Sequence, residues 1–316
     1  MMRFDRHSTA MQVARHANLD GCQIVLTGGS SGIGEETARA LALTGAEIVL
    51  GVRDVAKGEA VARNISGRIR VAELNLSDLD SVIAFANGIT GPVQRLIANA
   101  GVSRTPEAHL SNGLDVRFAT NHLGHFLLAH RLHPQMVDQG ARIVMLSSAA
   151  HKGCPVHLDD LQWLAREHSD GMAYAESKSA NILFAQEASR RWAADRITAN
   201  AVLPGSALTG LQRYHGEALK RRIGFIRDDG SVDPMVKSAE QAAATTLWAT
   251  VAPELEGRGG LVLEDCAEAL PVGPDTHAWS GFDARVADPA TATALWDHSV
   301  ELIRTLAGDG ALASPS

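Results

Sequence analysis

The sequence predicts one α/β domain built on a mostly parallel, seven-stranded sheet with helices on both faces. Two observations predict it. Short apolar segments rich in Val, Ile and Leu alternate with helix-patterned segments along nearly the whole chain. That alternation implies parallel strands joined by crossover helices, with both sheet faces covered. The first apolar segment also runs directly into a glycine cluster that opens a helix. A doubly wound sheet of the Rossmann type places its phosphate-binding turn there.

The elements follow in order. Residues 23–27 form an apolar strand that ends in glycines. Over 32–44, Ile33, Thr37, Ala40 and Leu41 recur at helical spacing, and Gly45 stops the helix. A strand at 47–51 precedes a helix at 55–65, and a strand at 69–74 precedes a helix at 79–86 that Ser77 or Asp78 can cap. The strand 93–98 leads to a long helix, 114–137. The strand 142–147 leads to a second long helix, 173–194. The chain closes with a strand at 198–203, a helix at 239–250, a short strand at 261–263 and a terminal helix at 290–306. Residues 205–237 break this rhythm with charges, glycines, Pro234 and a weak helical pattern near 211–222. A long insert after a late strand is expected to act as a lid over a substrate. Residues 1–20 read as an N-terminal extension, 21–307 as a single catalytic domain and 308–316 as a flexible tail.

The composition is ordinary for a globular chain: 45% hydrophobic and 21% charged residues. A formal charge of -7 gives no basic field for nucleic acid or anionic lipid. The three cysteines, Cys22, Cys154 and Cys266, are widely spaced and fit neither a metal pattern nor a disulfide framework. No stretch approaches the roughly 18 apolar residues a membrane helix needs. A cytoplasmic protein that binds neither membrane nor nucleic acid is expected.

Two motifs carry chemistry. Thr27-Gly28-Gly29-Ser30-Ser31-Gly32-Ile33-Gly34 lies between the first strand and the first helix. Glycines there allow a tight turn and let a pyrophosphate reach the helix N-terminus, with Ser30 and Ser31 as added hydroxyl donors. Tyr174-Ala175-Glu176-Ser177-Lys178 opens the second long helix. A spacing of four sets Tyr174 and Lys178 on one face, about 5–6 Å apart. An ammonium there favours the phenolate and fits Tyr174 for proton transfer near neutral pH. Ser147-Ser148 closes the fifth strand, where an open α/β sheet binds its ligands. His122 and His125 lie three apart, but no third ligand is placed beside them, so no metal is expected. His151 borders the Ser148 loop and reads as a loop histidine.

The glycines at 28, 32 and 34 give G-x-x-x-G-x-G rather than G-x-G-x-x-G. With the preceding Thr27, this resembles the T-G-x-x-x-G-x-G turn of the short-chain dehydrogenase/reductase family. The resemblance spans about 21–306. It is nearest to the retinol-dehydrogenase-like branch, which shares a similar Asn121-His122-Leu123-Gly124-His125-Phe126 segment and Ser147-Ser148-Ala149-Ala150-His151 after the fifth strand. It implies a nicotinamide-dependent oxidoreductase acting on a small alcohol or carbonyl substrate. Ser148 matches the catalytic serine and Tyr174 the acid/base. Lys178 matches the lysine that tunes the tyrosine and holds the nicotinamide ribose, and Asn121 the asparagine of a proton-relay water.

The resemblance also implies a cofactor cleft. Gly28, Ser30, Ser31, Gly32, Ile33 and Gly34 form its turn, and Asn75 and Leu76 lie near the adenine. Asn99, Ala100 and Gly101 form one wall, with Tyr174 and Lys178 at the ribose. Pro204, Gly205 and Thr209 close the nicotinamide end. Asn75 departs from the usual aspartate and brings no charge. By the family's alignment Val52 stands at the carboxylate position of NAD enzymes, and Arg53 follows as in NADP-preferring members. NADP(H) is therefore expected, with NAD(H) as the alternative. Asp54 is read as a helix cap. In the family, helices corresponding to 114–137 and 173–194 pair subunits, so a homodimer or homotetramer is expected. The branch often has a hydrophobic N-terminal anchor, which this sequence does not show. Two alternatives are a carrier-bound ketoacyl reductase, hinted at by Lys220-Arg221-Arg222, and a non-catalytic cofactor sensor. Tyr174 and Lys178 are the residues a sensor would be expected to lose.

Overall fold

The computed structural model describes residues 3–312. Seven parallel strands, β1 (Gln23–Thr27), β2 (Glu47–Val52), β3 (Arg68–Glu73), β4 (Arg95–Ala98), β5 (Arg142–Leu146), β6 (Thr198–Leu203) and β7 (Val262–Glu264), form the sheet. An eighth, β8 (Ala267–Glu268), turns back antiparallel on β7. The order is β3-β2-β1-β4-β5-β6-β7-β8. The expected strand count is thus short by one, because a two-residue exposed strand has no periodicity to read. The order reverses between β1 and β4, which opens a crevice at the carboxyl ends of the strands.

Side chains alternate across this sheet. Ile24, Leu26, Ile48, Leu50, Ile97 and Val144 enter one core. It is roofed by α1 (Ala10–Ala14), α2 (Gly32–Ala42), and the successive pieces α9 (Ala239–Ala242) and α10 (Ala244–Val251). Val25, Val49, Leu96, Ile143 and Met145 enter the other. There α4 (Leu79–Asn87), α6 (Gly124–Met136), α7 (Asp170–Arg191) and α11 (Pro289–Ala307) cover them. Each fully buried Leu or Ile contributes about 1.5–3 kcal/mol, which makes these two layers the main source of stability. Asp54 accepts from the Lys57 N–H at 2.9 Å and caps α3 (Val55–Arg63); Asp78 caps α4.

Three expectations change. The N-terminal extension is not separate from the domain. Thr9 caps α1, and Ala10, Val13 and Ala14 are buried with Leu19 in the first core, because this stretch carries its own apolar stripe. The expected tail begins with a turn, Asp309–Leu312, whose Ala311 is buried under Arg131 hydrogen bonds; 313–316 lie outside the described residues. The first long helix is three pieces, α5 (Val116–Phe118), a π-helical turn at Ala119–Leu123, and α6. α7, one of the two long helices expected to pair subunits, packs along α11 of its own chain. Trp296 stacks on Phe184 at 5.9 Å with 7° between the rings and meets Trp192 edge-on at 5.3 Å. The buried stripe Ala292, Leu295, Trp296, Ser299 and Ile303 of α11 needs cover and finds it within the chain.

Residues 205–237 hold a short turn, Gly210–Gln212, and the exposed helix α8 (Glu217–Arg222). Three contacts fix the segment. Lys237 pairs with Asp265 at 2.5 Å, Ala207 bridges to Lys237, and Phe225 packs on Trp279 at 5.3 Å.

Candidate active site

The crevice gathers the ends of β1, β4, β5 and β6. After β1 the backbone turns sharply, with Gly28 at φ +72° and Gly32 at φ +58°. A side chain cannot be added there. A Cβ on Gly28 would lie 2.8 Å from Ala100, and one on Gly32 would lie 3.1 Å from Thr209. A Cβ on Gly34 would collide with the Gly28 carbonyl and stand 2.5 Å from the Asn99 amide. Gly32 and Gly34 thus leave the backbone bare on either side of Ile33 in the first turn of α2, and Ser31, its N-cap, spends no side-chain hydrogen bond on the helix. Free N–H groups and a helix N-terminus at the switch point suit the pyrophosphate of a dinucleotide, so these residues fit that group. Ser30 is half-buried beside them.

Thr27, the last residue of β1, holds the opposite wall. Its hydroxyl accepts from the N–H groups of Asn99 and Ala100, both at 3.0 Å. The Asn99 side chain donates back to the Thr27 and Gly28 carbonyls at 2.9 and 3.2 Å. The sequence motif contains Thr27, but its role as the clamp on this wall was not legible, because its partners are 72 and 73 residues away.

Asn121 sits in the π-helical turn, fully buried. Its amide exchanges hydrogen bonds with the Val102 backbone at 2.8 and 2.9 Å and donates to Ser177 Oγ at 2.9 Å. Gly101 lets this happen: a Cβ there would stand 3.2 Å from Asn121 Oδ1 and 3.4 Å from Lys178 Nζ. π-Turns inside helices are frequent at functional sites. The buried Arg117 ties the same region to α7, donating to the Ser103 carbonyl and to Asp170.

Ser148, Tyr174 and Lys178 come together from β5 and α7. The Ser147 hydroxyl donates to the Lys178 carbonyl at 2.7 Å, and Lys178 Nζ donates to the Leu146 carbonyl at 3.0 Å. Lys178 Nζ lies 5.7 Å from the centre of the Tyr174 ring. Burial raises the Tyr174 phenol above its ordinary pKa, and a hydrogen bond from Ser148 acts against that rise. Burial also pulls Lys178 down to about 8. The expected lowering of Tyr174 by Lys178 is therefore outweighed: loss of hydration dominates both groups. His151 is buried, its Nδ1 2.6 Å from the Ser148 carbonyl and its Nε2 accepting from the Asp283 N–H at 3.0 Å. It anchors the Ser148 loop, a role that depends on a partner 132 residues away.

The remaining predicted residues spread along the crevice. Arg53 is exposed just after β2. Asn75 Oδ1 accepts from both the N–H and the hydroxyl of Ser77, at 3.3 and 2.8 Å. The Leu76 carbonyl presses on Gly124, where a Cβ would collide. Pro204 is buried after β6, and Gly205 takes φ +81° against the Lys237 stem. The Thr209 hydroxyl accepts from the Leu211 N–H and so caps the next turn, close to Gly32. His122 meets Ser299 at 3.0 Å, away from the turn, and burial pulls it down to about 3. Among the described residues, no group of three His, Cys, Asp or Glu side chains is arranged to hold a metal, and no helix is long and apolar enough to cross a membrane.

Fold and crevice together define a dinucleotide-binding α/β oxidoreductase. A family model described as short chain dehydrogenase matches residues 23–159. A "Probable oxidoreductase" of Streptomyces antibioticus is 40% identical over 296 residues, 91% of this chain and 99% of that one. Human "Retinol dehydrogenase 12" is 36% identical over 298 residues, 91% of this chain and 88% of that one. A solved structure of an uncharacterised protein from Mycobacterium paratuberculosis superposes with a TM-score of 0.73 at 34% identity, covering 92% of this chain and 97% of the other. The chain belongs to the short-chain dehydrogenase/reductase family, in its retinol-dehydrogenase-like branch, and is an enzyme acting on CH–OH or C=O groups.

Proposed function

We propose that this enzyme transfers a hydride between NADP(H) and a small alcohol or carbonyl substrate, with Tyr174 as acid/base. The observation that carries the reading is the meeting of Ser148, Tyr174 and Lys178 at the end of β5, with Lys178 Nζ 5.7 Å from the centre of the Tyr174 ring and the Ser148 hydroxyl near enough to oppose the upward shift of the phenol. A nicotinamide bound along the crevice would supply or accept the hydride. Gly28, Ser30, Ser31, Gly32, Ile33 and Gly34 would hold its pyrophosphate, Lys178 its ribose, and Pro204, Gly205 and Thr209 its far end. Asn75, Leu76 and the Asn99–Gly101 wall would flank it.

Ser148 holds the substrate oxygen beside the Tyr174 hydroxyl. Tyr174 donates its proton to that oxygen in reduction and takes it back in oxidation. A phenol raised by burial stays protonated at neutral pH, which suits the reductive direction. Asn121 holds the relay water that returns the proton, and 205–237 covers the substrate.

Arg53 supports NADP(H): an exposed guanidinium at the end of β2 can pair with a 2′-phosphate, while Asp54 is committed to capping α3. The basic triplet on α8 does not favour a carrier-bound acyl substrate, because Arg221 is engaged with Glu217 and the Arg227 carbonyl. Three free cysteines fit a cytoplasmic setting. A homodimer or homotetramer would use a face other than the one α11 covers. The test is Tyr174→Phe assayed on a panel of alcohols and ketones by reduced-nicotinamide absorbance. A loss of roughly 10²–10⁴-fold in kcat is expected, and near-wild-type turnover would refute the mechanism.

A further inference from the structure

Thr27 and Asn121 are joined by a third residue that the mechanism leaves unused. His125 is fully buried, with Nε2 2.8 Å from the Thr27 hydroxyl and Nδ1 3.0 Å from the Asn121 carbonyl. The geometry fixes every proton in this chain. Thr27 Oγ1 already accepts from the Asn99 and Ala100 N–H groups, so its own proton must be donated. The acceptors are His125 Nε2 at 2.8 Å and the Ile97 carbonyl at 3.5 Å, and the shorter contact wins. Nε2 is therefore unprotonated. A neutral imidazole then carries its proton on Nδ1, which donates to the Asn121 carbonyl. Burial pulls this ring down to about 4, so it remains neutral under working conditions.

We propose that His125 is a positioning residue: it ties the carbonyl of Asn121 to Thr27, the clamp of the Asn99–Ala100 wall, and so keeps the π-helical turn in register with the cofactor crevice. This rests on the reading that Asn121 serves the active site. A ring of this kind has no substitute among smaller hydrogen-bonding side chains that makes both contacts. Asparagine can place an amide N–H where Nδ1 is, and glutamine can reach where Nε2 is. Asparagine therefore keeps the bond to Asn121 and releases Thr27 to the Ile97 carbonyl. Glutamine keeps Thr27 and loses Asn121.

The test uses the full chain and the panel compound that the wild type reduces fastest with NADPH. Kinetics are measured for His125→Asn, His125→Gln and His125→Phe, NADPH affinity by fluorescence titration, and the wild-type ring by imidazole nitrogen NMR. The expected result is a neutral Nδ1–H ring, with His125→Asn, His125→Gln and His125→Phe each at least about tenfold slower in kcat, because each breaks one or both ends of the tie, and with KM and NADPH affinity moving less than kcat. An Nε2–H ring, or wild-type kcat in either the Asn or the Gln variant, overturns the proposal. If His125→Phe does not fold, the Asn and Gln variants decide alone. The underlying reading fails separately, and takes this proposal with it, if Tyr174→Phe keeps turnover or the wild type reduces nothing in the panel. If Tyr174→Phe is inactive and the Asn or Gln variant is fully active, only the role of His125 falls.

Discussion

Lys178 Nζ donates to the Leu146 carbonyl at 3.0 Å, pinning the ammonium on α7 to the last residue of β5. The bond does not restore the hydration the ammonium gives up. Burial takes the group from 10.5 to about 8. Between those values the unfolded chain binds more protons than the folded one, so stability rises with pH across that window. Below it both states are protonated and the cost of burying the charge is fully present. Urea unfolding of the wild type and Lys178→Met at about pH 7.5 and about pH 10 checks this. The wild type should gain stability relative to the variant as pH rises, and a constant difference would contradict it.

Arg53 is expected to select the phosphorylated cofactor. Arg53→Ala should weaken NADPH binding roughly 10- to 100-fold, the loss of a charge-assisted hydrogen bond or two, and leave NADH nearly unchanged. Fluorescence titration with both cofactors measures it. Equal losses, or a wild type that prefers NADH, would assign the ribose contact elsewhere.

Gly34 packs against the Gly28 carbonyl and the Asn99 amide. Gly34→Ala cannot be absorbed by rotating a flexible side chain, since one obstacle is backbone. A destabilisation of about 1–3 kcal/mol is expected from the overpacking. NADPH affinity should fall with it, because any relief moves the turn. Chemical denaturation and cofactor titration on the same preparation check both, and a stable variant with unaltered affinity would argue against the cradle.

Trp296 holds α11 on α7 through its stack on Phe184 and its edge contact with Trp192. Trp296→Ala should cost about 3–5 kcal/mol, the range for truncating a large core aromatic. It also uncovers the face of α7 that the helix now shields. The urea midpoint reports the first effect and light scattering the second. A variant within about 1 kcal/mol of the wild type would show that α11 is held by other contacts.

Local pattern alone determined much of this protein. Strand periodicity, the glycine spacing from Gly28 to Gly34, and the four-residue step from Tyr174 to Lys178 depend only on neighbours a few residues apart. The parallel sheet, the turn and the pairing on one helical face were therefore legible before any fold was known. Asp54 as a cap was legible for the same reason. Tertiary structure decided what depends on partners far along the chain. Whether α1 packs into the core, that α11 packs on α7, and where the first long helix opens into a π-turn all depend on burial against distant elements. The protonation of Tyr174 and Lys178 is the clearest case. Their spacing indicates that a cation stands near a phenol, but only the surrounding fold removes the water, and that loss of hydration governs both groups. His125 and His151 are alike in this respect: each is one histidine among several in the sequence, and each is defined by one distant partner, the Thr27 hydroxyl at 2.8 Å for His125 and the Asp283 N–H at 3.0 Å for His151, that only the folded chain brings to it.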